Sequence, residues 1–350
     1  MVVAQEMRLE KFNTFTHDVV FMDGLWGTGK SVLTPIISGM KGVEKQKLDY
    51  VFEYLCVLRH LKKIDADAVQ AMLQTYADVD QYHNLIGREV NLRWNDDSGV
   101  ANNPSSLRYI KRIFGPEGDP IVEKINHENL ALHIMTHMML TVAEPLLDAF
   151  GQRLKFIEVV RHPLYMVRHW HAYLSRYNGP RIFTISFNAQ GHKVPWFARD
   201  WSEEYIRLSL MDRVLKSIIE LYNRLFQAID LLNQRGASLL VTSFEKVVLD
   251  TEPVLRQLEE FLGRQHHPRL KRILKKQKLP RSRITHGIGH SAYGWTAGSE
   301  ADEQTEYENL AAWIRESGSE CYCAAFGNLI AEYNRRWPSI LSSFRKEIPL

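Results

Sequence analysis

The sequence predicts an α/β fold, a parallel sheet with helices on both faces, and three observations predict it. A short apolar run, Val-Val-Phe-Met within Asp18–Asp23, meets Gly24 and is followed by a helix-like stretch over Ser31–Met40. Further short apolar runs over Leu130–Thr136, Lys155–Val160 and Ala237–Thr242 are each followed by a helical pattern. Runs of that length and composition suit strands buried on both faces, and their alternation with helices is the signature of parallel strands joined by crossovers. Finally, 350 residues with 45% apolar and 24% charged side chains can bury a large core, and no linker, charge block or repeat divides the chain. One domain over 1–350 is expected.

Each element has its own signal. Pro35 falls in the first turn of the helix after Gly24, where a missing N–H costs little. From Lys47 to Tyr82, Tyr50, Val51, Tyr54, Leu55 and Leu58, and then Val69, Met72 and Leu73, recur at helical spacing, with Asp65 as the N-cap of the second helix. Residues 45–130 therefore read as a helical insertion after the first βα unit, a cover on the acceptor side. Gly87–Gly99 reads as a polar loop. Pro163 opens a helix carrying Leu164, Val167, Trp170 and Leu174 on one side. One long amphipathic helix is expected over Glu203–Gln234, stopped by Gly236, and another over Thr251–Leu262, stopped by Gly263. Glu303–Tyr333 reads as two more helices closing the core.

Composition narrows the classes of function. A formal charge of +3 is too small to argue for nucleic acid. The basic side chains between Arg264 and Arg283 nevertheless fall in a segment without Asp or Glu, either an anion-attracting surface or a solvated basic helix. The first seventeen residues lack the unbroken apolar core of a signal peptide, and no run is long enough to span a bilayer. Cys56, Cys321 and Cys323 make no disulfide framework and too little for a zinc site. A cytoplasmic setting is the expectation.

The chemistry begins at Gly24-Leu-Trp26-Gly27-Thr28-Gly29-Lys30-Ser31, which matches the G-x-x-x-x-G-K-[ST] phosphate-loop pattern between an expected strand and an expected helix. Glycines let backbone N–H groups turn inward on an anion, the helix N-terminus that includes Val32 adds partial positive charge, and Lys30 adds a full one. Phosphoryl transfer from Mg-ATP would ask for an Asp at the end of a later apolar strand to help hold the metal. Here one such strand runs into Arg161 and another into Thr242-Ser243-Phe244-Glu245. A guanidinium at a strand edge suits a second anionic group better than a metal ion.

Lys155-Phe-Ile-Glu-Val-Val-Arg161-His-Pro-Leu-Tyr-Met-Val-Arg168 resembles the 3′-phosphate-binding segment of the sulfotransferases. Leu240–Lys246, Asp250–Pro253 and Leu258–Gly263 are similar to that family's late strand, acidic turn and Phe-Leu-Gly helix, and Leu132–His137 to the strand ending in Thr-His where cytosolic members place the catalytic base. The resemblance runs from the phosphate loop to about Gly263. It implies 3′-phosphoadenosine 5′-phosphosulfate as co-substrate, with its 5′ end on Gly24–Ser31 and its 3′-phosphate on Arg161, Lys30 steadying the bridging oxygen and His137 taking the acceptor proton. Gly27, Lys30, Met135 and His169 stand where the family usually has a basic residue, Thr, Lys and Ser respectively. The loop thereby leans towards the nucleoside-triphosphate pattern.

Arg281 and Arg283, before His286-Gly-Ile-Gly289, weakly resemble the family's C-terminal Arg/Gly loop over the nucleotide, and Trp295 is a wall of the site or core. Arg88, Asn91, Arg93, Asp96 and Asp97 form the densest polar cluster outside the loop, an acceptor site with Asp96 or Asp97 as reserve base, or an ordinary solvent loop. His162, His169 and His171 suggest a metal only superficially, since i,i+2 neighbours point apart on a helix; no metal is expected. The expected activity is sulfuryl transfer to a hydroxyl of a saccharide or small metabolite. The alternatives are a Mg-ATP-dependent kinase and a nucleotide-binding protein without transfer chemistry.

Overall fold

The computed structural model describes residues 7–93, 96, 98–103, 105–284 and 303–338. Its strands are β1 (Val19–Asp23), β2 (Lys47–Leu48), β3 (Leu132–Met135), β4 (Leu154–Val160), β5 (Ser186–Ala189), β6 (His192–Pro195) and β7 (Leu239–Ser243). Five of them form one sheet in the order β2-β3-β1-β4-β7, with every neighbouring pair parallel. Every residue of β1 is buried, as a strand covered on both faces requires. After β1 the chain builds the sheet on one side through β2 and β3, then crosses to β4 and β7 on the other. Such a reversal opens a crevice at the C-terminal edge of the central strand, and Gly24 lies there.

The helices are α1 (Thr34–Ile37), α2 (Tyr50–His60), α3 (Ala66–Leu85), α4 (Ser106–Arg112), α5 (Asp119–Glu128), α6 (Glu144–Phe150), α7 (Val167–Ser175), α8 (Ser202–Arg207), α9 (Leu210–Gln234), α10 (Phe244–Leu249), α11 (Thr251–Leu262), α12 (Leu270–Lys276), α13 (Glu303–Ser317) and α14 (Glu320–Arg336). The expected α/β architecture is the one found. α11 has the bounds its Gly263 stop predicts, with that glycine left-handed at φ 61°. Leu164, Val167 and Trp170 are fully buried, as their spacing predicts.

Three expectations need correction. The helix over Ser31–Met40 is a 3-10 turn at Lys30–Val32 followed by one turn of α-helix, α1. Pro35 removes the N–H that would bond the Ser31 carbonyl four residues back, and Thr34 Oγ1 donates to the Lys30 carbonyl at 2.8 Å instead. The helix over Glu203–Gln234 breaks at Leu208 and Ser209, because Ser209 caps a new start by accepting the Asp212 N–H at 3.1 Å. Asp65 stands at the N-cap of α3 as expected, although its side chain makes no capping bond. The segment 45–130 is not all helix and loop, since β2 within it pairs with β3 and becomes the sheet's edge. The hairpin β5-β6 gives no strong signal in the sequence, its register set by a tight turn in which Gln190 and Gly191 both have positive φ.

Candidate functional site

Three strand ends meet at the site. β1 delivers Asp23 and then the glycine turn, β3 delivers Thr136 and His137, and β4 delivers Arg161. Asp23 latches the first two together, its carboxylate accepting the Thr136 hydroxyl at 3.0 Å and the Leu140 N–H at 2.9 Å. The Met138 N–H donates to the Gly24 carbonyl at 3.2 Å, so the turn that carries His137 rests on the glycine turn.

The glycine turn is shaped for close approach. Gly29 has φ 79°, and a Cβ there would collide with the Phe244 ring. At Gly24 a Cβ would lie 2.5 Å from Thr28 Oγ1 and 2.7 Å from the Val159 carbonyl. The backbone N–H groups of Gly29, Lys30 and Ser31 meet no acceptor among the described residues. Thr28 and Val32 are tied into the turn itself, their N–H groups donating to the carbonyls of Leu25 and Gly29. With only a 3-10 turn and one turn of α-helix behind it, the cradle depends on these local amides and gains little from a helix dipole.

Trp26 is only 9% exposed, its ring packed against Trp170, Tyr173 and Phe197, while its carbonyl accepts the Trp170 indole N–H at 2.8 Å. Its contribution to the turn is therefore structural. His169 stands directly against Gly27, so that a Cβ on that glycine would come within 3.1 Å of it.

Lys30 does not reach outward. Its ammonium donates to the Gly24 carbonyl at 2.8 Å, the side chain is 6% exposed, and Asp23, Glu53 and Glu158 surround it. Burial pulls the Lys30 pKa down and pushes Asp23 and Glu158 up, Glu158 strongly, while Glu53 is pushed up to about 8. Asp23 and Glu158 lie opposite one another on β1 and β4, and the Glu158 carboxyl oxygens have no hydrogen-bond partner among the described residues. Burial first, and the neighbouring Asp23 second, favour the protonated form of Glu158.

His137 meets Glu53 from α2. Its Nδ1 lies 2.9 Å from Glu53 Oε1, and the same oxygen accepts the His137 backbone N–H at 3.0 Å. An oxygen already accepting one N–H is disposed to accept the Nδ1–H as well, which leaves the Nε2 lone pair free. Burial, with the Lys30 charge second, holds the imidazole well below its ordinary pKa and hence neutral, yet its side chain keeps 18% exposure. The Tyr50 ring lies nearly parallel to it, 6.2 Å away, with Tyr54 and Phe183 beyond.

On the other flank, Arg161 Nη1 donates to the Gly27 carbonyl at 2.9 Å. Its guanidinium sits 4.4 Å from the centre of the Phe244 ring, and that of Arg281 sits 5.7 Å from it. Arg161 Nε and Arg281 Nε are both buried and meet no acceptor among the described residues. Burial and the neighbouring Arg161 lower Arg281 to about 10, leaving it charged at neutral pH. Glu245 lends Arg161 some opposite charge, but its oxygens are engaged by the His162 N–H and the Tyr333 hydroxyl.

The other sequence candidates divide. Arg88 bonds His83, Asn91 bonds Ser98 and the Arg93 N–H, and Asp96 accepts from the Ser98 amide and hydroxyl, so these groups build a loop among themselves. Asp97, His286, Gly287, Gly289 and Trp295 lie outside the described residues. Arg283 follows Arg281 near the end of a described stretch. His171 packs on Trp313 and His162 on Tyr165, Tyr307 and Tyr333, in separate aromatic settings. Sequence reading missed Glu53, Tyr50, Tyr54 and Phe183. Glu53 has a signal of sorts, a carboxylate on a helix otherwise turned towards the core, but only the fold brings it to His137.

No protein-family model and no curated protein matches the chain. Among solved structures it is similar to the sulfotransferase domain from the curacin biosynthetic pathway, with a TM-score of 0.41 and 11% identity over 86% of this chain and 99% of that one. A second likeness is the sulfotransferase domain from the Synechococcus PCC 7002 olefin synthase, at 0.38 and 14% over 89% and 98%. A third is a sulfotransferase from Mycobacterium avium, at 0.41 and 13% over 95% and 78%. Likeness at this level leaves the chemistry to be read from the side chains. No helix among the described residues is long and apolar enough to cross a membrane.

Proposed function

We propose that the chain is a sulfotransferase-type enzyme that moves a sulfuryl group from 3′-phosphoadenosine 5′-phosphosulfate to a hydroxyl of a saccharide or small metabolite. The observation that supports this reading best is the Arg161–Phe244–Arg281 cluster beside the glycine turn, with two buried guanidinium Nε–H groups that meet no acceptor among the described residues. Buried donors are normally satisfied, so such a pair calls for an anion. A nucleotide bearing anionic groups at both its 5′ and 3′ positions supplies one to the amides of Gly29–Ser31 and another to the two arginines.

The chain's own groups then have defined tasks. Backbone N–H groups of the turn hold the 5′ end and stabilise charge as it develops there. Lys30, drawn in on the Gly24 carbonyl, supports the turn from beneath. His137 Nε2 accepts the acceptor hydroxyl's proton while that oxygen bonds to sulfur and the sulfur–oxygen bond to the 5′-phosphate breaks. Glu53 orients the imidazole. Residues 45–130 serve the acceptor side through α2, whose Tyr50 and Tyr54 stand with Phe183 beside His137. Those rings offer an acceptor a flat surface, whereas the 88–97 loop is occupied with its own hydrogen bonds.

Calorimetric titration tests this reading. Adenosine 3′,5′-bisphosphate should bind tightly without metal, and ADP more weakly. Preference for Mg-ATP, lost on adding a chelator, would instead establish the kinase reading.

A further inference from the structure

A second cavity, of about 310 Å³, lies between the end of α7, the β5-β6 hairpin, α8 and the start of α9. Its floor is apolar and aromatic, made by Leu174, Tyr177 and Tyr205, all buried, with Ile206 beside them. Its charged groups are all of one sign. Lys193 and Arg213 line it together with His192, and among the described residues no Asp or Glu does.

The two cations sit on the cavity's aromatic walls. Lys193 Nζ lies 5.0 Å from the Tyr177 ring centre and the Arg213 guanidinium 5.2 Å from that of Tyr205. Neither forms an ion pair with a described residue, unlike their neighbours Lys216, Arg224 and Arg336. Arg213 donates once, from Nη2 to the Ile206 carbonyl at 3.2 Å, and its buried Nε meets no acceptor among the described residues. A concave site with an apolar floor and convergent unneutralised donors has the make-up of a small-molecule pocket. A guanidinium and an ammonium together select an oxyanion.

We propose that this cavity binds a small organic oxyanion, a flat apolar body carrying one carboxylate or phosphate group. The anion lies between Lys193 and Arg213, and the body lies over Tyr177 and Tyr205. Tyr177 keeps its hydroxyl on Ser186 at 2.7 Å, and burial raises both phenols, so neither adds negative charge to the site. The inference is independent of what the glycine turn binds.

The test uses the full chain and two probes, benzoate and phenyl phosphate, with benzyl alcohol as neutral isostere and inorganic phosphate as bare anion. Calorimetry should show one saturable site for each aromatic anion. Lys193→Gln and Arg213→Gln should each weaken it about tenfold, the scale of a lost charge-assisted hydrogen bond, whereas Arg161→Ala should leave it unchanged. Because Arg213 also ties down the Ile206 carbonyl, Lys193→Gln is the variant whose fold is safe, its side chain lying at the rim. Crystals soaked in 4-bromobenzoate should place bromine over the Tyr177–Tyr205 floor. Benzyl alcohol binding as well as benzoate, inorganic phosphate binding as well as phenyl phosphate, insensitivity to Lys193→Gln, or bromine only at the glycine turn would each overturn the proposal.

Discussion

The two flanks of the glycine turn carry opposite electrostatic designs. On the β3 side one ammonium, Lys30, is enclosed by three carboxyls, and burial drives Glu53 and Glu158 towards their protonated forms. On the β4 side two guanidiniums share one aromatic ring, and of the two carboxylates that act on Arg161 among the described residues, Glu245 and Glu303, the first is engaged by other donors. Among the described residues the first flank has more carboxyls than cations, and the second has buried guanidinium N–H groups without acceptors. On the function proposed above, an incoming anion gains most from the arginines, while the Lys30 flank holds and hands on protons. The lysine that makes the phosphate-loop motif recognisable in sequence is, on this comparison, the less important cation for ligand affinity.

The comparison breaks first at the proton-handling flank. His137→Ala should lower transfer by about 10² to 10⁴, the usual range for a lost general base, while leaving bisphosphate binding within a factor of a few. Glu53→Gln should cost less and shift the pH profile, since a neutral amide still accepts the Nδ1–H. Full activity in His137→Ala would instead favour a nucleotide-binding protein without transfer chemistry, or a base elsewhere. On the arginine flank, Arg161→Ala should weaken adenosine 3′,5′-bisphosphate about 100-fold, near 3 kcal/mol, and ADP far less. Lys30→Met, titrated alongside, should change bisphosphate affinity less than Arg161→Ala does. The reverse order would invert the assignment of the two flanks.

How much of this was legible follows from which signals are local. The strand over Lys155–Val160, the glycine turn and the Gly263 stop are written in contiguous residues, and all three appear where expected. The direction of Lys30 is not local, because it depends on Glu53, more than twenty residues on, and on Glu158 from another strand. The tertiary pairing of β1 with β4 brings Asp23 beside Glu158, and no pattern in either strand announces it. The polar loop around Arg88 and Asp96 misled for the opposite reason. Its composition suggests a binding surface, yet Asx-type bonds such as Asp96 to the Ser98 N–H at 2.9 Å consume those groups within the loop.

The last expected effect is on stability rather than on binding or transfer; it bears on the Asp23–Glu158 pair and has a sign that can be worked out. Glu158 is held well above its ordinary value by burial and then by Asp23, so the folded chain retains a proton that the unfolded chain releases above about pH 4.5. Between those two values the folded state binds more protons, and its stability must fall as pH rises. Glu158→Gln keeps the shape and can donate an N–H to Asp23, but has nothing to ionise. Relative to the parent, the variant should gain stability as pH rises above about 4.5, by up to about 1.4 kcal/mol per pH unit, until Glu158 ionises in the fold. Paired urea melts across that range read the difference directly. A gap that stays constant, or narrows with rising pH, would mean that Glu158 is ionised in the fold. The flank would then hold excess negative charge under the glycine turn, and Lys30 could not be spared from it for any ligand.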